Sequence, residues 1–393
     1  MSVVAETANG AVAEAIRQIE PHVVAAYPIT PQTEVVEEFA GYVSDGRVRT
    51  MFIPVESEHS AMSVCVGASA AGARVITATS SQGLAYMWEM LYIASGNRLP
   101  IVMALVNRAL SAPINIHCDH SDSMGARDSG WIQIYCRDAQ EAYDTFIQAL
   151  PIAEHEDVRL PIMVCYDGFI VSHSLARIEM MTDETVRDFI GPYKAVHPLL
   201  DRDHPVIYGP LVLYDYYMEF KRQQAEAMNR ALEVVFEIGK RFGEASGRSY
   251  GLIDSYRMED ADIALAALSS TARTAEVIAD ELRDQGIRAG VITPRVFRPF
   301  PAKALLQALG GIKALGVLDR ADSIGAGMAP LAADIGAALQ SAGSDIRLYN
   351  RVYGLGGRDL TLSDFKSFFL SLERAGRGEE MPAHFGYLGV RGN

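Results

Sequence analysis

The feature that most constrains the fold is an alternation of short apolar runs and helix-like segments over residues 1–170. Strands that are buried on both faces read as continuous apolar runs, and their alternation with helices is typical of a parallel sheet covered by helices. The sequence therefore predicts an α/β fold. The predicted strands are 23–29, 50–55, 74–79, 101–109 and 160–166, and the predicted helices are 8–20, 31–43, 58–72, 81–96 and 139–156.

A second alternation of the same kind begins near residue 260 and predicts another, smaller α/β domain. Between the two, a Pro- and Tyr-rich stretch at 192–217 leads into an amphipathic helix at 218–243, which we interpret as a connecting arm. We therefore predict one domain with its arm at 1–250 and a second domain at 251–375. The strands predicted in the second domain are 263–268, 287–293, 314–318 and 346–353, and its helices are 271–285, 302–309, 329–340 and 362–374.

Two further predictions concern the arm helix and the tail. The C-terminal tail at 376–393 mixes Gly, Arg and aromatic residues without periodicity. Its Phe385 and Tyr387 are compatible either with a contact to a partner or with a frayed end. The apolar stripe predicted for the arm helix consists of Ala225, Met228, Ala231, Leu232, Val235, Phe236 and Phe242.

Composition and charge restrict the class of protein. The net charge is −14 and the isoelectric point is about 5.1, which argues against nucleic acid or a membrane surface as the main partner. The four cysteines never form a Cys-x-x-Cys pair, so we expect neither an iron–sulfur cluster nor another metal site in this chain. We find no secretory leader pattern and no apolar run of about 18 residues, and we therefore predict a cytoplasmic protein.

Polar residues follow four of the predicted strands at the points where those strands end. Thr30 follows the first strand, Glu58 follows the second, and Arg108 ends the fourth. The residues after the third strand are Ser80, Ser81 and Gln82. Ligands of open α/β sheets bind at the carboxyl ends of parallel strands. We therefore predict that these side chains converge on one site.

Each of these residues also has a structural interpretation. Thr30, which precedes a proline, would cap a helix, and Ser80 and Ser81 are ordinary N-cap residues. Glu58 in a first helical turn would complement the helix dipole. Arg108 on an apolar strand needs either a structural ion pair or an anionic substrate.

A polar loop after the fourth strand carries residue types that bind metals. His117, Asp119, His120 and Asp122 are such residues, and Asn115 lies just before them. We favour a loop that lines the active site, and we rank a metal site below it.

Seven segments, in this order along the chain, carry a family resemblance: YPITP at 27–31, ESEHSA at 56–61, ATSSQGL at 78–84, NRALS at 107–111, DHSD at 119–122, DGF at 167–169 and VFRPFP at 296–301. The chain resembles the alpha subunits of 2-oxoacid:ferredoxin oxidoreductases, and among them those of pyruvate:ferredoxin oxidoreductases. The resemblance extends over nearly the whole chain.

The resemblance implies a thiamine diphosphate cofactor shared with a partner chain. Residues 1–250 would form the pyrimidine-binding domain, and residues 260–375 would resemble the transketolase C-terminal domain. The diphosphate domain of the family needs a Gly-Asp-Gly segment that holds Mg²⁺, and these 393 residues contain none. The implied partners are a beta subunit with that domain, and gamma and ferredoxin-like delta subunits, or fusions of them, which carry [4Fe-4S] clusters.

The resemblance also implies a role for each candidate residue. Glu58 would hydrogen-bond the pyrimidine ring and activate the cofactor, Arg108 would bind the substrate carboxylate, and Thr30 would contact both substrate and cofactor. The further residues at the cofactor would be Ser80, Ser81 and Gln82. The implied reaction converts pyruvate and coenzyme A into acetyl-CoA and CO₂, and the electrons pass through the clusters to ferredoxin.

The substrate remains the most open part of this hypothesis. Similar proteins that use oxalate carry arginine where Thr30 stands, so Thr30 favours pyruvate, with 2-oxobutyrate, 2-oxoglutarate and oxalate as alternatives. Two other functions compete with the hypothesis: a subunit of a thiamine enzyme that does not use ferredoxin, and a non-catalytic scaffold that has kept the fold.

Overall fold

The computed structural model describes residues 1–379 and 383–391. The strands are β1 Ser2–Glu6, β2 Val23–Ala26, β3 Met51–Pro54, β4 Val75–Thr79, β5 Val102–Asn107, β6 Ile132–Cys136, β7 Ile162–Asp167, β8 Ala176–Met180, β9 Ile253–Tyr256, β10 Ile263–Ala266, β11 Ala289–Pro294, β12 Val296–Arg298, β13 Ala314–Asp319, β14 Arg347–Val352 and β15 Phe385–Tyr387. The α-helices are α1 Ala8–Ile19, α2 Thr33–Ser44, α3 Glu58–Ala71, α4 Ser81–Tyr86, α5 Trp88–Gly96, α6 Ser121–Gly125, α7 Ala139–Glu154, α8 Asp183–Ile190, α9 Tyr217–Ser246, α10 Thr271–Asp284, α11 Ala302–Ala308, α12 Pro330–Ser341 and α13 Leu362–Gly376.

The first sheet has seven strands in the order β12-β6-β7-β5-β4-β2-β3. All of its pairings are parallel except that of β12 with β6. Helices α1, α2, α7 and α9 pack on one face, and α3, α4 and α5 contribute to the core on the other face. The predicted parallel sheet with helices on both faces is confirmed.

The second sheet has six strands in the order β15-β14-β13-β10-β11-β9, of which only the edge strand β9 is antiparallel to its neighbour. One apolar core includes residues of both sheets, for example Tyr135 in β6 of the first sheet and Leu315 in β13 of the second. A two-stranded antiparallel sheet of β1 and β8 lies apart from both. Among the described helices, none is both long and apolar enough to cross a membrane.

The tail does not behave as expected. Phe385–Tyr387 forms β15, which pairs with β14 as an edge strand of the second sheet, so a frayed end is wrong for these residues, and the contact with a partner stays a prediction. Residues 380–382, 392 and 393 of the predicted tail lie outside the described part of the chain. Main-chain pairing with β14 gives this short strand its place, and periodicity within the tail does not reveal such pairing.

Several elements differ from the sequence-based expectations, and strands β1, β6, β8 and β9 and helices α6 and α8 were not predicted. The helix predicted at 81–96 is two helices that meet at Met87. Strand β12 comes from the segment beyond residue 251 and yet joins the first sheet, and the domain boundaries stay a prediction. The apolar stripe of α9 is rotated, because Phe236 is 55% exposed whereas Val234 and Ile238 are buried.

Candidate active site

The carboxyl ends of β2, β3, β4 and β5 lie at one edge of the first sheet because these strands are parallel neighbours. Glu58 is the first residue of α3, just beyond β3, and Arg108 directly follows β5. Thr30 lies in the turn between β2 and α2. The structure thus places the predicted side chains at one edge, and their contacts show how far they come together.

Arg108 is buried and yet has no carboxylate within ion-pair distance in the described part of the chain. Its side chain is shielded, with 7% of the residue exposed. Nη1 donates to the Thr30 carbonyl at 2.9 Å, and Nε donates to the Asn115 carbonyl at 3.0 Å. Burial lowers the pKa of Arg108, against the charge of Asp122, which raises it. A structural ion pair does not account for this arginine, and its positive charge remains available to an anion.

Thr30 does not cap a helix. Helix α2 begins at Thr33, and Gln32 occupies the N-cap position. Thr30 is exposed, its carbonyl accepts the hydrogen bond from Arg108, and its hydroxyl has no hydrogen-bond partner among the described residues. The capping interpretation is therefore wrong for Thr30.

Glu58 lies in the first turn of α3, whose N-cap is Ser57. The residue is 8% exposed, and its carboxylate has no hydrogen-bond or ion-pair partner in the portion of the chain that is described. It packs against α4, because a Cβ built on Gly83 would lie 2.9 Å from Glu58 Oε1 and 2.3 Å from Thr79 Oγ1. A place in the first turn also suits the helix dipole, so the two interpretations of Glu58 are compatible.

The turn after β4 holds Ser80, Ser81 and Gln82. Ser80 occupies the N-cap position of α4, but its buried hydroxyl makes no cap and has no hydrogen-bond partner within residues 1–379 and 383–391. Ser81 has φ of +47°, a left-handed conformation that is uncommon outside glycine, and its hydroxyl contacts Gln82 Oε1 and the Ala109 carbonyl. Neither serine side chain acts as an ordinary N-cap, and the strained turn is tied to the loop after β5.

Asp122 joins the two turns. Its Oδ2 accepts from the backbone N–H groups of Ser81 and Arg108, each at 3.0 Å. Its Oδ1 accepts from Asn107 Nδ2 at 2.8 Å and from the Ser123 N–H at 2.7 Å. Burial raises the pKa of Asp122 to about 6, although these four hydrogen bonds lower it. Asp122 therefore holds the main chain under the site, and it does not point into the site.

Asn115 and Asp119 of the polar loop contact the turn that follows β14 of the second sheet. Asn115 Nδ2 donates to the Gly356 carbonyl at 3.0 Å, and the Gly356 N–H donates to Asp119 Oδ2 at 3.0 Å. His117 packs on Phe169, with ring centroids 5.2 Å apart. The expectation of a loop that lines the site stays a prediction for Asn115 and Asp119.

His120 belongs to a cluster that links the two sheets, which we call the inter-sheet cluster: His120, Asp167, Ser270 and Arg320. His120 Nε2 lies 2.8 Å from Asp167 Oδ1, and Arg320 Nη1 lies 3.1 Å from Asp167 Oδ2. Burial alone would raise the pKa of Asp167, but the charge and hydrogen bond of His120, the charge of Arg320 and the hydrogen bond from Ser270 hold it well below its usual range.

The residues of this loop are not arranged as a metal site in the described structure. His117, Asp119, His120 and Asp122 have the separate partners given above and do not converge. In the described residues, the potential metal-ligand atoms of Cys118, His120 and Asp167 do lie within 4.8 Å of one another. However, burial raises the pKa of the Cys118 thiol well above its usual value, and Asp167 is already satisfied by its protein partners.

Sequence reasoning missed several residues that shape this edge. Asn107 and Asp167 end neighbouring strands as fully buried polar residues, and a polar residue that closes an apolar run was the available signal. Gly168 lets the strand ends approach, since a Cβ there would lie 2.5 Å from the Asn107 carbonyl oxygen and 2.7 Å from Pro31 Cγ.

Two family models match this chain and show to which family it belongs. A model described as "Pyruvate flavodoxin/ferredoxin oxidoreductase, thiamine diP-bdg" matches residues 14–240. The chain belongs to the pyruvate:ferredoxin oxidoreductase family. A second model, "Pyruvate:ferredoxin oxidoreductase core domain II", matches residues 261–365. The predicted family and its thiamine-diphosphate-binding fold are thereby confirmed.

Relatives of this family cover nearly the full chain. Pyruvate synthase subunit PorA of Thermotoga maritima is 55% identical over 99% of this chain and 98% of its own. The PorA subunit of Methanocaldococcus jannaschii is 46% identical over 94% of both chains. Ketoisovalerate oxidoreductase subunit VorA of Pyrococcus abyssi is 42% identical over 91% of this chain and 90% of its own.

A solved structure shows the same fold. It is the 2-oxoglutarate:ferredoxin oxidoreductase from Magnetococcus marinus with 2-oxoglutarate, coenzyme A and succinyl-CoA bound. The likeness covers 94% of this chain with a TM-score of 0.74 at 20% sequence identity. This chain spans 65% of that solved chain.

Proposed function

We propose that this chain is the alpha subunit of a thiamine-diphosphate-dependent pyruvate:ferredoxin oxidoreductase and is active only with partner subunits. The observation that carries the proposal is the arrangement of Arg108, which is buried, lacks a carboxylate partner in the described chain and contacts the Thr30 main chain. Glu58 at the same edge likewise has no protein partner for its carboxylate among the described residues.

The residues at the edge fit the aminopyrimidine half of thiamine diphosphate. The Glu58 carboxylate is sheltered, and the absence of a side chain on Gly83 leaves it room beside Thr79. Glu58 would hold the pyrimidine by a hydrogen bond to a ring nitrogen, with Thr30 and Gln82 beside it. When bound, thiamine diphosphate supplies the nucleophilic carbon that attacks the 2-oxo group and takes up the electron pair left by CO₂.

Arg108 would bind the carboxylate of the 2-oxoacid. A guanidinium presents a planar set of donors that matches a carboxylate, and its attraction is stronger where water is excluded. The Thr30 carbonyl keeps this guanidinium directed to the edge, and the exposed Thr30 hydroxyl is free to donate to the substrate. The remaining residues of the cofactor-binding set, Ser80 and Ser81, form the strained turn beneath the site.

The partners proposed for this chain follow from its open edge. Tyr27 is 38% exposed and Ile114 is 78% exposed, which leaves apolar surface around Thr30 to be covered. We assign this position to a beta subunit that supplies the diphosphate- and Mg²⁺-binding half. Gamma and ferredoxin-like delta subunits would carry [4Fe-4S] clusters and pass electrons to ferredoxin.

Pyruvate is the proposed substrate because Thr30 offers no second cation for a dicarboxylate. The 55% identity to the Thermotoga PorA subunit supports pyruvate over branched acids. Ketoisovalerate is the second candidate, since the VorA relative at 42% identity is about as similar as the 41% identical PorA of Pyrococcus furiosus.

An anaerobic assay tests the proposal. The complex that co-purifies with this chain is supplied with thiamine diphosphate and Mg²⁺, and reduction of viologen or ferredoxin is followed with and without coenzyme A. The substrates are pyruvate, 2-oxobutyrate, ketoisovalerate, 2-oxoglutarate and oxalate. We expect the highest kcat/KM for pyruvate and a requirement for coenzyme A. A preference for another 2-oxoacid would replace the substrate, and no turnover by a complex with all its clusters would refute the activity.

A further inference from the structure

Asp122 makes four hydrogen bonds that connect two segments of the candidate site. The backbone N–H groups of Ser81 and Arg108, which are 27 positions apart, both point at Asp122 Oδ2. Asp122 is 3% exposed, so this carboxylate is shielded from solvent and from any ligand. The other two contacts are with the Asn107 side-chain amide and the Ser123 N–H, so all four lie inside the protein.

Removing this acceptor would leave two buried donors unpaired. A buried N–H without a partner costs free energy, so the strand ends of β4 and β5 would move until water or another group satisfied them. Arg108 follows β5 directly, and from this main-chain position its Nη1 donates to the Thr30 carbonyl at 2.9 Å. A shift of Arg108 therefore becomes a shift of the group proposed to bind the 2-oxoacid carboxylate.

We propose that Asp122 is a positioning residue, whose carboxylate fixes the Ser81 turn and the Arg108 main chain and so orients the guanidinium for the 2-oxoacid. This inference rests on the proposed function of Arg108. Burial raises the pKa of Asp122 to about 6, in balance with the hydrogen bonds that lower it, so at neutral pH the group is a carboxylate and accepts from all four donors.

The test compares Asp122→Asn with the reciprocal double variant Asn107→Asp/Asp122→Asn in the assembled complex. An amide at position 122 has only one acceptor atom, so either the two main-chain donors or Asn107 and Ser123 lose their partner. In the double variant, the new amide donates to residue 107 while its oxygen still accepts from Ser81 and Arg108, and the Ser123 N–H alone loses its acceptor. We expect KM for pyruvate to rise about tenfold in Asp122→Asn with a smaller change in kcat, and to return toward the wild-type value in the double variant.

Amide hydrogen exchange provides a readout that does not need turnover. Peptides that contain the amides of Ser81 and Arg108 should exchange faster in Asp122→Asn and slow down again in the double variant. Unchanged exchange, or an unchanged KM together with faster exchange, would overturn the inference. If Asp122→Asn does not assemble, the double variant decides: assembly with the wild-type KM supports the inference, and failure to recover either assembly or KM refutes it.

Asp319 provides a matched control. Its carboxylate is also buried and accepts from two backbone N–H groups, of Leu331 and Ala332, and from Asn350 Nδ2. Asp319→Asn should speed exchange near residues 331 and 332 and leave the pyruvate KM unchanged. A KM increase equal to that of Asp122→Asn would mean that general loosening explains both. Absence of turnover in the wild-type complex would refute the proposed function. The exchange data would still show whether Asp122 holds the main chain at Ser81 and Arg108.

Discussion

The inter-sheet cluster and the candidate active site both hold charges out of water, but they differ in how those charges are satisfied. Asp167 is fully buried, yet Arg320 pairs with it at 3.1 Å and His120 Nε2 lies 2.8 Å from its other carboxylate oxygen. The side chains of Arg108 and Glu58 are nearly as buried, and neither has an ion-pair partner in the described residues. Uncompensated buried charge costs stability, so a protein keeps it where a ligand is to complete the pairing. The difference separates buried charges that are paired between the sheets from buried charges whose pairing we propose a ligand completes.

The variant Glu58→Gln should give the largest effect on activity. The amide keeps the size of the side chain but cannot serve as a carboxyl group toward the aminopyrimidine, and loss of such proton-transfer assistance lowers rates by roughly 10²–10⁴-fold. Turnover of pyruvate by the assembled complex measures this. Glu37→Gln, on the exposed side of α2, is the control and should keep wild-type turnover. Equal turnover of Glu58→Gln and wild type would support the non-catalytic scaffold instead.

The variant Asp167→Asn should give the largest effect on stability. It removes the partner of Arg320 and of His120 in a buried cluster, which costs about 3–5 kcal/mol of the free energy of unfolding. The midpoint of thermal unfolding of the assembled enzyme should fall clearly. Asp345→Asn, at an exposed position, should change stability by less than about 0.5 kcal/mol. A drop in stability no larger than that of the control would mean that the cluster does not hold the sheets together.

Acid should weaken the same cluster without a mutation. The folded-state pKa of Asp167 lies below the value of about 3.9 for an unfolded aspartate. The stabilisation by this carboxylate is therefore present above about pH 4 and is lost as the pH falls toward the folded-state pKa. Stability measured between neutral pH and acid should fall less steeply below pH 4 in Asp167→Asn than in wild type. Equal slopes of stability against pH below pH 4 in Asp167→Asn and wild type would contradict this.

The variant Arg108→Ala should act mainly on the substrate. Loss of a charge-assisted contact costs about 1.5–3 kcal/mol, so KM for pyruvate should rise by at least about tenfold. Arg108→Lys keeps the charge without the planar donors and should lie between alanine and wild type. Arg49→Ala, whose side chain is 94% exposed, is the control and should keep the wild-type KM. If neither KM nor kcat moves in Arg108→Ala, the anion-binding role is wrong.

The sequence predicted the edge of the site better than the network beneath it. The residues Glu58 and Arg108 were visible because each marks the end of an apolar run, and element ends are local features. The contacts of Asp122 with Ser81 and of Asp167 with Arg320 join positions 41 and 153 residues apart. No periodicity encodes such pairings. Strands β12 and β15 escaped prediction for the same reason, since pairing with distant strands, and not their own three residues, places them.

The variant Gly83→Ala should destabilise the protein less than Asp167→Asn and still lower activity. The added Cβ would meet Glu58 Oε1, at the end of a flexible side chain, and Thr79 Oγ1, on a fully buried β-branched side chain with little rotational freedom. We therefore expect the free energy of unfolding to fall by about 1–3 kcal/mol, as for other overpacked positions. The displaced Glu58 carboxylate should weaken the binding of thiamine diphosphate, measured by titration of the cofactor into the apo complex.

Gly67 makes this test specific. It lies within α3, and a Cβ added there would meet nothing within 4 Å. Gly67→Ala should therefore keep the cofactor affinity while changing stability in the direction that helix propensity favours. Weaker cofactor binding in Gly83→Ala alone would place the unpaired Glu58 carboxylate at the cofactor. Equal affinity for thiamine diphosphate in both variants would mean that moving Glu58 does not affect cofactor binding. Arg108 alone would then support the contrast with the paired charges of the inter-sheet cluster.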